Sequence, residues 1–120
     1  MNMLNSIILE GDITKAGEIV QFADGQHQLE VTIAVKHQYR KRDGSLADET
    51  SKFNVIAYGN VADFLAKKGA IGQGIRVVGR LTQVKWEAEN RQQSAVKIIA
   101  EHIEYKPLKK KEAENEESVL

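Results

Sequence analysis

Aromatic residues beside basic ones are the residues of this chain best suited to bind a ligand. Tyr39 is followed by the basic run 40–42, and Trp86 is preceded by Lys85. An aromatic ring can stack on a nucleic-acid base while a neighbouring cation neutralises a phosphate. For any single ring, packing against other side chains of the protein is an equally open interpretation. The elements that carry these residues therefore have to be considered together.

A long β-hairpin is predicted to carry the first of these groups. Two β-prone runs flank a polar loop that contains Asp43-Gly44, a typical turn pair. Because side chains alternate along a strand, Lys52 and Tyr58 share one side of the second arm and Phe53 lies on the other. If Phe53 faces the core, Tyr58 and Lys52 lie on the open face. The alternative is a surface hairpin whose charged tip is only solvated.

The sequence shows no pattern typical of catalysis or metal binding. The three histidines, His27, His37 and His102, do not lie at a metal-ligand spacing from one another. None of the serines has the context of a nucleophile elbow, and the lack of cysteine excludes thiol chemistry and disulfides. The sequence therefore predicts a binding protein rather than an enzyme, with no cofactor and no metal.

Length, hydropathy and charge predict one folded domain and a tail. The chain has 120 residues, 42% of them apolar, which is enough for one core. No apolar run approaches the length of a membrane helix or signal-peptide core, so we expect a soluble cytoplasmic protein with no membrane partner. Residues 1–111 carry a net charge of +4, and four glutamates follow Lys111. We expect a folded domain at 1–106 and a disordered acidic tail at 107–120.

The order of the predicted elements indicates the fold class. The helical spacing of Val61, Phe64 and Leu65 predicts a short helix between Asn60, as N-cap, and Gly69. Five antiparallel strands with one short helix between the third and fourth give the order of the OB-fold, an all-β five-stranded Greek-key barrel. The predicted strands are 4–22 with a bend, 26–39, 52–58, 75–86 with a break at Gly79, and 92–105.

The aromatic residues divide into two groups by position. Three are expected in the core, namely Phe22, Phe53 and Phe64. Three others stand at strand ends or on the polar side of a strand, with cations nearby, namely Tyr39, Tyr58 and Trp86. Convergence of the second group on one basic face would be harder to explain by packing than by ligand binding.

Several short motifs, in this order, resemble those of the bacterial single-stranded DNA-binding proteins (SSB). They are Asn5-Ser6-Ile7-Ile8-Leu9-Glu10-Gly11, Tyr58-Gly59-Asn60-Val61-Ala62-Asp63, Lys68-Gly69, Val78-Gly79-Arg80-Leu81 and Lys85-Trp86. The resemblance covers residues 4–106. The Lys-Gly, Gly-Arg-Leu and Lys-Trp steps are fairly specific together and weak singly.

The resemblance implies a function as well as a fold. It implies an OB-fold, usually a homotetramer, that wraps single-stranded DNA without catalysing a reaction. It assigns base stacking to Tyr39, Tyr58 and Trp86. It assigns phosphate contacts to Arg40, Lys41, Arg42, Arg80 and Lys85.

The chain departs from the family pattern in three places. Lys52 stands where another stacking aromatic residue usually lies, and the next residue, Phe53, falls on the inward side; both are kept as candidate DNA contacts. The first loop has Lys15-Ala16-Gly17-Glu18 in place of Asp-Pro-Glu. The sequence ends at 116–120 without the family's long linker and Pro-Phe tip, which leaves recruitment of replication and repair proteins open.

The sequence thus predicts a sequence-nonspecific single-stranded DNA-binding protein that protects exposed strands in DNA replication, recombination and repair. Its partners would be single-stranded DNA and other copies of itself, in a homotetramer or alternatively a dimer. Two other functions remain open: a primosomal-type, tail-less OB-fold adaptor, which is a dimer, and an OB-fold protein that binds RNA or tRNA. With tyrosine at two stacking positions and Lys52 at a third, we expect binding to be more electrostatic than is typical.

Overall fold

The computed structural model describes residues 2–107. Residue 1 and residues 108–120, which include almost all of the predicted tail, lie outside the described part. The helix and strands are β1 (Ile7–Ala16), β2 (Val20–Gln21), β3 (His27–Arg40), β4 (Leu46–Tyr58), α1 (Gly59–Lys68), β5 (Gly74–Ala88) and β6 (Arg91–Tyr105).

The strands form a single sheet that closes into a barrel. Their order is β1-β5-β6-β4-β3-β2, and a further pairing between β1 and β3 closes the sheet. All paired strands are antiparallel except β4 and β6, which are parallel. The five long strands thus make an all-β barrel with α1 between the third and fourth of them. This arrangement confirms the predicted OB-fold.

The strand β1 takes part in two pairings because it bends at Gly11 and Asp12. Residues before the bend pair with β5 and residues after it pair with β3, and Asp12 pairs with both strands. A Cβ on Gly11 would lie 2.7 Å from the carbonyl oxygen of Ala34, so the bend requires glycine. The predicted continuous strand 4–22 is wrong in one respect, because it is divided into β1 and β2.

A bulge bends β5 at Gly79. The register between β5 and β6 shifts between Val78 and Gly79. A Cβ on Gly79 would overlap the carbonyl oxygen of Ile99, so the two backbones can approach this closely only at a glycine. The break predicted in this strand is therefore confirmed.

Branched aliphatic side chains fill the interior of the barrel. Alternate residues of β3, namely Leu29, Val31 and Ile33, point inward and are almost completely buried. A small barrel has room inside for side chains of this size but not for a channel. The other buried members of this core are Ile13, Val55, Ala57, Ala62, Leu65, Ile75, Val77, Ile98, Ala100 and Ile103.

The helix α1 packs against the barrel and follows β4 without a loop. Gly59 has a φ of +59°, so the chain turns from strand to helix at this one residue. The N-cap is Tyr58, and the prediction of Asn60 as N-cap is wrong, since Asn60 lies within the helix. The helix ends as predicted at Gly69, whose amide donates a 2.8 Å hydrogen bond to the carbonyl oxygen of Leu65.

The three phenylalanines expected in the core are exposed. The exposed fractions are 59% for Phe64, 44% for Phe22 and 38% for Phe53. The prediction is wrong because aliphatic side chains already occupy the barrel interior. Ala62 and Leu65 supply the buried side of α1, which leaves Phe64 facing outward.

Candidate nucleic-acid interface

The turn that joins β3 to β4 presents the basic run 40–42. The amide of Gly44 donates a 3.0 Å hydrogen bond to the carbonyl oxygen of Lys41. The amide of Lys41 donates a 2.8 Å hydrogen bond to the carbonyl oxygen of Ser45. Arg40 Nη1 donates to the carbonyl oxygen of Gly44 at 2.7 Å, which holds this guanidinium over the turn. All three cations of the run are exposed, so their charges are accessible to a phosphate.

Asp43 lowers the positive charge of this turn. Ser45 donates two hydrogen bonds to Asp43 Oδ1, from its hydroxyl at 2.6 Å and from its backbone amide at 2.9 Å. These bonds, the hydroxyl bond first, hold the pKa of Asp43 below its usual value, so the carboxylate is charged at neutral pH. With three cations and one anion, residues 40–43 carry a net charge of +2.

The strand register shows that Tyr58 and Trp86 share a face. Because Val55 points into the core, the alternate residues Ile56 and Tyr58 lie on the other side of β4, where Ile56 is covered and Tyr58 is exposed. Ile56 lies beside Ile99 of β6. Gln93 is six residues before Ile99, on the same side of β6, and it lies opposite Trp86. We call this surface the outer face. It consists of Tyr58, Trp86 and the residues on the same side of β3, β4, β5 and β6.

Three of the predicted cations lie on the outer face. Lys52 and Arg40 have the same strand parity as Tyr58 and its partner Gln28, and Arg80 lies opposite Ile99. Arg80 Nη1 is 3.9 Å from Glu101 Oε2, and both side chains are about half exposed. A long, solvated contact of this kind contributes little, so Arg80 remains available to a phosphate.

Three other predicted site residues lie on the opposite side of their strands. These are Tyr39, opposite Ala47, then Phe53, opposite Ile33, and Lys85, opposite Ser94. Tyr39 is also eleven residues along β3 from Gln28, the partner of Tyr58, a separation of about 36 Å at the usual rise of a strand. The structure therefore brings Tyr58 and Trp86 onto one face and leaves Tyr39 on the far arm of the hairpin.

Tyr58 and Trp86 lie far apart on the outer face. The path runs six residues along β6 and two along β4, which is about 26 Å. The side chain of Trp86 is 45% exposed and that of Tyr58 is 36% exposed. Each ring thus offers a surface to solvent while part of it is packed. A DNA strand that contacts both rings must cross the residues between them.

Between the two rings, polar side chains lie beside the buried pair Ile56 and Ile99, and sequence analysis did not single these polar residues out. Lys97 Nζ lies 2.8 Å from Glu30 Oε2, and the Thr32 hydroxyl donates a 2.9 Å hydrogen bond to Asn54 Oδ1. The polar parity of β3 and β4 is visible in the sequence. The pairing with β6 is not, because it depends on a register between strands distant in the chain.

A second charged cluster joins β1, β5 and the end of β6. Glu10 Oε2 accepts from Arg76 Nη2 at 2.9 Å and from Lys106 Nζ at 3.0 Å. The contact with Lys106, followed by that with Arg76, holds the pKa of Glu10 below its usual value. Because these cations face carboxylates of neighbouring strands, we interpret the cluster as a structural one.

Two kinds of feature are absent from residues 2–107. This part of the chain contains no group of three or more histidine, aspartate or glutamate side chains arranged to hold a metal ion. None of its helices is long and apolar enough to cross a membrane.

The chain is similar to known proteins over most of its length. The profile of the Single-strand binding protein family matches residues 4–106. A single-stranded DNA-binding protein of Aquifex aeolicus is 36% identical over 101 residues, which cover 84% of this chain and 69% of that protein. One of Wolinella succinogenes is 28% identical over 103 residues, which cover 85% of this chain and 64% of that protein.

Solved structures show the same fold. The SSB of Plasmodium falciparum in complex with ssDNA matches with a TM-score of 0.80 at 21% identity, covering 89% of this chain and 98% of that one. A deletion mutant of the single-stranded DNA binding protein from Thermus aquaticus matches with a TM-score of 0.77 at 25% identity, covering 87% of this chain and 51% of that one.

An OB-fold barrel with exposed rings and cations on one face is typical of oligonucleotide-binding proteins. The family profile covers most of the folded part, and one relative exceeds 30% identity over two thirds of its own length. This chain belongs to the single-strand binding protein family. It spans 69% and 64% of the length of the two relatives described above.

Proposed function

We propose that this protein binds single-stranded DNA without sequence specificity, in the cytoplasm, and protects it during replication, recombination and repair. The observation that carries the proposal is the outer face, where two exposed rings, Tyr58 and Trp86, flank polar strands with Lys52 and Arg80. Stacking tolerates any sequence because every base has a flat π-face. The activity is binding alone, with no catalytic step.

The β3–β4 hairpin would act as a second, mainly electrostatic contact. Its turn presents Arg40, Lys41 and Arg42 to solvent with a net charge of +2 after Asp43 is counted. Lys85 on the β5–β6 hairpin adds a cation beside Trp86. Tyr39 and Phe53 lie on the other side of the β3–β4 hairpin from Tyr58, so they would contact DNA that passes around its edge.

We propose further that the chain acts as a homotetramer. Residues 7–10 of β1 pair with β5 on one side, and within residues 2–107 no strand pairs with their other edge. Apolar side chains lie exposed along or just before this edge, at Met3, Leu4 and Ile8. An unpaired apolar edge is a template for pairing with another chain. Pairing with β1 of a second copy would satisfy both the backbone and the side chains and form a dimer, and two such dimers would make up the tetramer.

The proposal is tested by titrating the protein with oligo-dT of increasing length while its mass in solution is measured. We expect the mass of a tetramer and saturable binding to oligo-dT. A dimer that binds DNA weakly would favour the primosomal-type adaptor. Equal or tighter binding of matched oligo-rU would favour an RNA or tRNA binder, and no binding to either would contradict the proposed function.

A further inference from the structure

A polar cleft lies in the middle of the outer face. Thr32 lies opposite Asn54 on β4 and opposite Lys15 on β1. Val55 of β4 lies beside Ile98 of β6, so the preceding residues of these parallel strands, Asn54 and Lys97, lie beside each other. The cleft is therefore on the path between the two exposed rings. Its volume is about 270 Å³, and it is lined by Lys15, Gly17, Glu30, Thr32 and Asn54.

Glu30 is the residue of this cleft that phosphate binding does not explain. A carboxylate repels a polyanion, so it weakens a face that only neutralises phosphates. Glu30 Oε2 is 2.8 Å from Lys97 Nζ, and the side chains are 34% and 19% exposed respectively. The pair has no net charge, so Lys97 adds little to phosphate attraction. Within residues 2–107, no hydrogen bond to the other carboxylate oxygen, Oε1, accompanies this contact.

Asn54 supplies the complementary donor. Its side-chain oxygen accepts the 2.9 Å hydrogen bond from the Thr32 hydroxyl. That bond orients the amide and leaves the two N–H groups of Nδ2 to donate. The cleft thus contains a charged acceptor on β3 and a fixed donor on β4. This combination suits the edge of a base more than it suits a phosphate, which offers only acceptors.

We propose that this cleft recognises the exocyclic amino group of a base as a single strand crosses the outer face. Cytosine, adenine and guanine carry such a group, and acceptance of the cytosine N4 hydrogen by a glutamate is an established base contact. Thymine and uracil present a carbonyl oxygen at the same position, which would face the Glu30 carboxylate with no proton between them. The inference rests on the proposed function. Recognition in the cleft would add a preference for certain bases at one nucleotide, while stacking keeps the rest of the binding sequence-tolerant.

The test compares the affinities for oligo-dC and oligo-dU of equal length at pH 8. The two bases differ only at position 4 and at the adjacent N3. The variant is Glu30→Gln. A glutamine amide can rotate to accept from cytosine or to donate to uracil, so it does not discriminate. We expect the ratio of dC to dU affinity to fall by about fivefold or more, the lower range of a specific base contact.

Glu49→Gln is the matched control. Glu49 lies on β4 in an exposed part of the hairpin, outside the cleft, and its substitution changes the charge by the same amount. It should leave the dC to dU ratio unchanged. Glu30→Asp, which keeps the charge but shortens the side chain, should lower the ratio and guards against loss of folding in the glutamine variant.

The outcomes distinguish a failure of base recognition in the cleft from a failure of DNA binding by the protein. Base recognition would be overturned if each glutamine variant changed the dC and dU affinities equally and Glu30→Asp left the dC to dU ratio unchanged. DNA binding itself would remain intact in that case. Failure of the wild-type protein to bind either oligonucleotide would instead overturn the proposed function.

Discussion

Replacing Tyr58 and Trp86 together by alanine is expected to weaken binding to oligo-dT by about 30-fold or more. Stacking is worth about 1–3 kcal/mol per base, and each 1.4 kcal/mol changes the dissociation constant about tenfold. The two rings lie on one face, so a single DNA strand is expected to use both. The dissociation constant at fixed salt checks the prediction.

The matched control for this variant replaces two other exposed apolar residues, Phe64 and Ile71. Phe64 lies on the outward side of α1 and Ile71 lies in the turn after it, so neither belongs to the outer face. Their replacement by alanine should leave the affinity unchanged. Equal losses in the two double variants would mean that Tyr58 and Trp86 are not specific contacts. Circular dichroism on both variants would verify that the barrel remains folded.

Replacing Arg40, Lys41 and Arg42 together by alanine is expected to flatten the salt dependence of DNA binding. Each phosphate contact contributes about −0.7 to the slope of log K against log salt for single strands, so three lost contacts change it by about 2. Between 50 mM and 200 mM salt, the affinity of the wild-type protein should therefore fall about 20-fold more than the affinity of the triple variant. The three residues are exposed, so the melting temperature should hardly change.

The control for the hairpin variant is the double replacement of Lys67 and Lys68 by alanine. These exposed lysines lie in the last turn of α1 and not on the outer face. If only the total charge matters, this variant will show about two thirds of the slope change. If the hairpin contacts DNA directly, the slope of the control should stay close to that of the wild type. An unaltered slope in the triple variant would mean that the turn is merely solvated.

The fold could be predicted because its signals are local. The alternation through Leu29, Val31 and Ile33 marks a strand with one buried side, and Gly79 marks the bulge. Burial of Phe64 could not be predicted in the same way. A helical stripe shows which residues share a side, but the space beneath α1 is set by the barrel, and Ala62 and Leu65 fill it. The interior volume is a property of the whole fold, not of any one segment.

The candidate site was predictable in part. Tyr58 follows from strand parity and Trp86 from its position after Lys85, and the structure places both on the outer face. The expected convergence with Tyr39 does not occur, because Tyr39 has the opposite parity on β3. The contact between Glu30 and Lys97 joins residues 67 positions apart. Such a pair depends on the register of β4 against both β3 and β6, which composition and periodicity do not encode.

The fluorescence of Trp86 offers the most direct test of single-strand binding. It is the only tryptophan of the chain, so its emission reports on the outer face alone. The protein is titrated with oligo-dT and, at the same salt and length, with a blunt duplex, whose bases stack on each other and are closed to a protein ring. We predict saturable quenching by oligo-dT and little change with the duplex. Unchanged emission at saturating oligo-dT, or equal quenching by the duplex, would contradict the proposed single-strand binding at this face.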